Sequence, residues 1–269
     1  MVRYAPVIRV ILLASVLSLQ WMGTSSGQSA TSGSRQDRAV TAADFNKMAD
    51  DARDAGRYDE ESAILIATNQ AFPDDVHVLW RLTRSAVEAG ELADSRDTRR
   101  RRFFEAMQYG KMAVRADSTH HLGYIWLAIS EAAVASVEGI KTKVRLSWNI
   151  RQHAEKAISL NPDFDSGYHI LARWHYEVAG IGGVKRALAR AFVGELPEAS
   201  YDESIRLYRQ AIAINDLIHH RLALVQTYIR AGRDEEARRE LNLIIDRPSE
   251  KRLDDKHIEE ARKLLAELD

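Results

Sequence analysis

The chain has 269 residues, with 38 Lys and Arg against 39 Asp and Glu and a formal charge of −1. That balance removes bulk charge as a handle for nucleic acid, which is not expected as a partner. The absence of cysteine excludes disulfides, thiolate metal sites and cysteine nucleophiles, while only 14 Gly and 5 Pro favour long helices over many short strands.

Residues 1–30 carry Arg3 and Arg9 as their only charges, then an apolar run over 10–19 and a stretch of small residues around Gly23 to Ala30. This is the order of a cleavable secretory signal, with cleavage expected near residues 27–30. The apolar run is shorter than the roughly 20 residues of a spanning helix, so an uncleaved membrane anchor is the alternative rather than the first reading. The expectation is an exported protein of a bacterial periplasm. Residues 31–41 are polar and read as a disordered leader, leaving 42–269 as one folded domain.

From Ala42 onward the apolar residues follow a helical period, and the punctuation repeats. Gly56 in Ala-Gly-Arg-Tyr-Asp-Glu-Glu and Gly90 in Ala-Gly-Glu-Leu-Ala-Asp stand 34 residues apart, the tetratricopeptide period. Ala231-Gly232-Arg233-Asp234-Glu235-Glu236 is a third copy. In such a repeat the glycine ends the first helix in the left-handed conformation. Second-helix endings recur as Gln70-Ala71-Phe72-Pro73, Ala113-Val114-Arg115-Ala116-Asp117, Ala157-Ile158-Ser159-Leu160-Asn161-Pro162 and Ala211-Ile212-Ala213-Ile214-Asn215-Asp216. The pattern predicts an all-α solenoid of five hairpins, 42–73, 76–117, 121–161, 165–215 and 218–247, closed by a capping helix over 253–268. The inner repeats exceed 34 residues, with insertions near 91–102, 137–147 and 179–200.

Several stretches between Gly110 and Tyr208 carry a more specific likeness: Glu138-Gly139-Ile140-Lys141-Thr142-Lys143-Val144, His169-Ile170-Leu171-Ala172-Arg173-Trp174-His175-Tyr176, and Pro197-Glu198-Ala199-Ser200-Tyr201. They resemble the helical-repeat domain of the regulator of microtubule dynamics protein family, insertions included. The resemblance implies a helical-repeat adaptor without enzymatic activity, in a family whose eukaryotic members are associated with microtubules, spindle poles or organelle membranes. This chain departs from it at the front, where the export-type segment stands.

Counting from the glycine and alanine anchors, first-helix positions facing a concave groove are Trp80, Arg84, Ile125, Ile129, His169, Arg173, Tyr176, Leu222 and Gln226. Aromatic and arginine side chains on one inner surface suit an extended or amphipathic peptide. The lysine and asparagine clamp of carboxylate-capturing repeats is missing, since Asn46 and Asp50 occupy its early positions. Lys141, Lys143, Arg145 and Arg151 follow Gly139 and form a second candidate site, for an anion or anionic lipid. The alternative to a protein-binding scaffold is a carrier of lipid or another apolar ligand that uses the insertions. Val184, Ala187, Leu188, Ala191 and Phe192 form an apolar stripe suited to packing on the solenoid or on a membrane. Arg99–Arg102 reads as a solvated insertion tip at a helix start. No nucleophile elbow, phosphate loop or HExxH spacing occurs, so no catalytic residue, cofactor or metal site is expected.

Overall fold

The structure, a computed structural model, describes residues 40–183, 186–187, 198–249 and 254–268. The leader, and most of the apolar stripe at 184–192, lie outside the described residues. Eleven helices are described: α1 (Ala42–Asp54), α2 (Tyr58–Ala71), α3 (Val76–Glu91), α4 (Arg96–Ala116), α5 (His121–Val137), α6 (Ile140–Leu160), α7 (Asp165–Ala179), α8 (Tyr201–Ile214), α9 (Ile218–Arg230), α10 (Asp234–Ile245) and α11 (Asp254–Leu268). They form the five expected hairpins plus the cap, and no strand occurs among the described residues.

Local chemistry sets the boundaries. Thr41 caps α1 in a box with Asp44, whose carboxylate accepts the Thr41 N–H at 2.9 Å. At the other end, Gly56 has φ +72° and the Arg57 N–H reaches the Ala52 carbonyl at 2.8 Å. Gly232 repeats this turn with φ +69° and an Arg233-to-Tyr228 bond of 2.9 Å. Both satisfy the carbonyls that a helix end leaves open. Gly90 behaves differently, and its expected left-handed role is corrected. It lies inside α3, where a Cβ would sit 2.4 Å from the Phe103 ring. Glycine is needed there so that α4 can approach, and the chain turns at Leu92–Asp94 instead.

Packing follows the repeat logic. Each second helix contacts its own first helix and the next one, while successive first helices also touch along the stack. The first helices therefore line the tighter, inner layer. Ala113, Ala157 and Ala211 are almost wholly buried. A Cβ on Gly123 would meet Ala113 at 3.6 Å, and one on Gly167 would meet Ile158 at 2.8 Å, so small residues set the spacing between hairpins. One large apolar cluster runs from Phe103 through Trp174 and Tyr228 to Ala261, and a second, around Phe45, Leu65 and Leu82, holds the N-terminal end. The first two insertions lengthen helices, α4 and α6 reaching 21 residues each. The arginines at 99–102 thus stand in the second turn of α4 rather than on a loop tip. Arg100 Nε pairs with Glu138 at 2.5 Å, tying the two lengthened hairpins together.

The close packing at Gly90 and three half-buried histidines each have a measurable consequence. Gly90→Ala is expected to cost about 1–3 kcal/mol of stability by overpacking against Phe103, whereas Gly139→Ala meets open space and loses only the preference of the α6 N-cap for glycine, a smaller drop in the urea midpoint. Burial holds His120, His121 and His175 below the usual imidazole range, with His77 and His121 adding to the effect on His120. Because these folded-state values are depressed, the unfolded chain takes up protons first as the pH drops below about 6.5. Stability from these groups is complete above that value and lost below it. The urea midpoint should fall between about pH 7.5 and about pH 5, and His175→Gln should make that decline shallower.

Candidate functional site

The inner layer of α1, α3, α5, α7 and α9 carries the sequence-predicted groove residues, and their surroundings divide them into two sets. Trp80 is only 8% exposed and packs with Leu79 and Ala113, beneath the Arg81 and Arg84 guanidiniums at 4.3 and 5.2 Å from its ring centroid. Arg84 Nη2 donates to Glu61 Oε1 at 2.8 Å and lies 3.6 Å from Asp50. Glu61 is fully buried in α2 and is also held by Arg53 of α1 at 3.2 Å. Arg53 pairs in turn with Glu88 of α3. Burial pushes the Asp50 carboxyl up, but the hydrogen bond and charge of Arg81, with Arg84 behind it, bring it below the usual range. The fully buried Glu61 carboxylate depends on such compensation from Arg53 and Arg84. Arg84, with Arg53 and Glu61, therefore holds the first three helices together, while Trp80 packs α3 against α4.

Ile125 is buried, and Ile129 is half-buried against Ala86, Val87 and Ala106. Leu222 belongs to the main core. The accessible part of the predicted row lies further along. His169, Arg173 and Glu177 follow one face of α7 at i, i+4, i+8 spacing. Arg173 is exposed, pairs with Glu177 at 2.6 Å, and stands 4.9 Å over the half-buried Tyr176 ring. It also reaches Gln226 of α9 at 3.4 Å, and Gln226 donates to Glu260 of the capping helix at 3.1 Å. The cap thus touches the end of the groove through a polar contact and leaves Arg173 and Tyr176 uncovered in part.

On α6, Lys141, Lys143 and Arg145 are exposed around a first turn that contains no acidic residue. Trp148, 39% exposed, follows on the same helix. Arg151 is separate from them: it pairs with Glu155 at 2.8 Å and covers the Trp174 ring at 5.3 Å.

A group of residues that sequence spacing passed over gathers where α7 meets α9. His169 Nδ1 lies 2.8 Å from His220 Nδ1, and the His219 ring stands edge-on to His169 and tilted against His220, with ring centroids 5.4 Å and 4.1 Å away. His220 is buried and its Nε2 lies 3.0 Å from Asp165 Oδ2. Burial works to raise the Asp165 carboxyl, but the hydrogen bond and charge of His220, with Ser166 and Asn215, bring it down to about 2. Burial, then the charges of His220 and His219, push His169 down to about 3, so its imidazole is neutral at physiological pH. The fifty-residue separation hid this cluster. The signal that could have found it is the His219-His220 pair opening a first helix one repeat after a groove histidine.

The architecture and its inner layer define a tetratricopeptide-like helical-repeat protein. A family model, Regulator of microtubule dynamics protein 1-3, matches residues 45–269, and the chain belongs to that family. It is 28% identical over 173 residues to regulator of microtubule dynamics protein 1 of Bos taurus, covering 63% of this chain and 55% of that protein. With regulator of microtubule dynamics protein 3 of Rattus norvegicus the identity is 22% over 188 residues, covering 69% and 40%. The chain thus spans about half the length of the curated relatives it matches. Among solved structures, a thermophilic TPR protein of Thermus thermophilus superposes with a TM-score of 0.59 at 19% identity, covering 85% of this chain and 98% of that one.

The two sets of groove residues should separate under mutation. Arg84→Ala leaves the buried Glu61 short of one cation and is expected to cost about 3 kcal/mol in urea denaturation. Arg173→Ala, at an exposed pair, should stay within about 0.5 kcal/mol of the parent.

Proposed function

We propose that the protein is a non-enzymatic scaffold that binds a protein or peptide partner along the inner layer of first helices. The observation that carries this reading is the half-open patch of His169, Arg173, Tyr176 and Gln226 at the α7–α9 end. It combines an aromatic face, a guanidinium and amide groups on a continuous surface whose backbone is rigidly held by the core beneath. Trp80, Ile125 and Leu222 support this surface from within rather than meeting the partner directly. The family and fold agree with an adaptor role. A peptide entering here would displace the single contacts from Arg173 to Gln226 and to Glu177, a small cost beside burial of the Tyr176 ring.

A carrier of apolar ligands is the weaker reading. A cavity of about 490 Å³ at the α8–α9 junction has a mixed lining, Leu217, Ile218 and Pro248 beside Asn215, Asp216, Arg247 and Asp254, so three charged side chains would face an acyl chain there. The exposed Lys141, Lys143, Arg145 and Trp148 are suited to an anionic lipid surface, and this remains a secondary contact in the proposal. No described helix is long and apolar enough to cross a membrane. The export-type segment at residues 1–30 makes a partner outside the cytoplasm part of the same proposal. On that reading the microtubule role in the relatives' names does not carry over to this chain.

A photo-crosslinking amino acid placed at Tyr176 or Arg173 should yield a protein adduct in the native compartment, while one at Lys111 on α4 should not. Adducts from Lys111 alone would overturn the groove reading. Lipid in native mass spectra without any protein adduct would favour the carrier.

A further inference from the structure

Peptide binding at Arg173 and Tyr176 leaves the geometry of the histidine cluster between α7 and α9 unexplained. Two imidazole nitrogens, Nδ1 of His169 and Nδ1 of His220, face each other at 2.8 Å. Two neutral rings can share one proton across that gap, with one nitrogen donating and the other accepting. A cation between them satisfies both lone pairs at once. We infer that His169, His219 and His220 form a binding site for a divalent transition-metal cation of the zinc class, with Asp165 orienting His220 from behind.

Four observations converge on this. One ligand atom from each of the three histidines can be chosen so that all lie within 4.8 Å of one another. Zinc–imidazole bonds of about 2.0–2.1 Å in a tetrahedron separate two nitrogens by roughly 3.3 Å, so the His169–His220 pair needs to open by only about half an ångström. Asp165 Oδ2 takes up Nε2 of His220, which fixes that nitrogen as the protonated one and leaves Nδ1 as the ligand atom. This carboxylate–histidine–metal relay is the usual outer support of a metal-binding imidazole, and Asn215 steadies the same carboxylate oxygen at 2.9 Å. Finally, His219 is exposed while His220 is buried, giving an ion an entrance and a seat.

The donor set decides the class of ion. Three imidazoles and no carboxylate in the inner set suit Zn²⁺, Cu²⁺ or Ni²⁺ and are poor ligands for Mg²⁺ or Ca²⁺. Water completes the coordination, or His257 does: it opens the capping helix, its ring centroid is 6.5 Å from that of His219, and its buried Nδ1 has no hydrogen-bond partner. An ion here would cross-link the first helices of the fourth and fifth hairpins and hold their stacking.

The test uses the full chain without an affinity tag, stripped with a chelator. Titration calorimetry with ZnCl₂ should give one saturable site per chain, and Co²⁺ should develop the intense visible bands of a four-coordinate site. Zinc should raise the thermal midpoint, and excess Mg²⁺ should not compete. His219→Ala and His169→Gln should each weaken zinc at least about 10-fold, and Asp165→Asn about 10–100-fold, whereas His175→Gln binds as the parent does. Absence of a saturable site in the parent chain, or unchanged affinity in His219→Ala, would overturn the inference. Because His219 is exposed, that variant decides the matter even where a change at half-buried His169 or at buried Asp165 disturbs folding, which circular dichroism would report.

Discussion

Each described second helix of this solenoid is clasped between two first helices, or in the case of α10 between α9 and the capping helix, and the distance at which it can be clasped governs the rest of the molecule. Small residues set that distance. A Cβ on Gly110 would lie 3.0 Å from the Leu127 backbone and one on Gly167 2.8 Å from the Ile158 side chain, while Gly123 leaves room for ordinary contact with Ala113. A single hairpin cannot bury its own apolar stripe, so the stack is stable only as a series of such contacts. Extra residues are tolerated because they extend α4 and α6 beyond the crossing points without altering the spacing. The Arg100–Glu138 pair then anchors those extensions to one another.

Buried carboxylates reinforce the stack at intervals. Glu61 takes Arg53 and Arg84, Glu131 takes His153 at 2.8 Å and Asn149 at 3.2 Å, and Asp165 takes His220, Asn215 and Ser166. Each joins helices that apolar packing alone would leave free to slide, a directional role that dispersion contacts lack. The consequence for function is a division of the inner surface. Its N-terminal part is consumed by buried ion pairs, while its C-terminal part, from His169 to Gln226, is held by pairs that stay open to solvent in part.

Membership of the regulator of microtubule dynamics family rests on most of this chain but only about half of its curated relatives. The shared portion is therefore the repeat domain over residues 45–269. In this chain the inner layer of that domain sets the exposed Arg173 and the half-buried Tyr176 immediately beside a histidine cluster.

Hairpin boundaries were legible in the sequence because they arise from short-range chemistry. The left-handed glycines at 56 and 232, the capping threonine at 41 and the terminal alanines at 113, 157 and 211 act within a few residues of where they stand. Gly90 shows the limit: the same residue in a similar motif serves helix-to-helix contact, because Phe103 from the following helix occupies the space its side chain would need. Trp80 and Arg84 sit at groove-type positions by count, yet their neighbours Glu61 and Asp50 draw them inward. The meeting of His169 with His219 and His220 is likewise a product of stacking, not of spacing. Chain punctuation determined which segments became helices; only the packed solenoid decided which side chains face one another, because those contacts join residues tens of positions apart whose distance depends on every crossing between them.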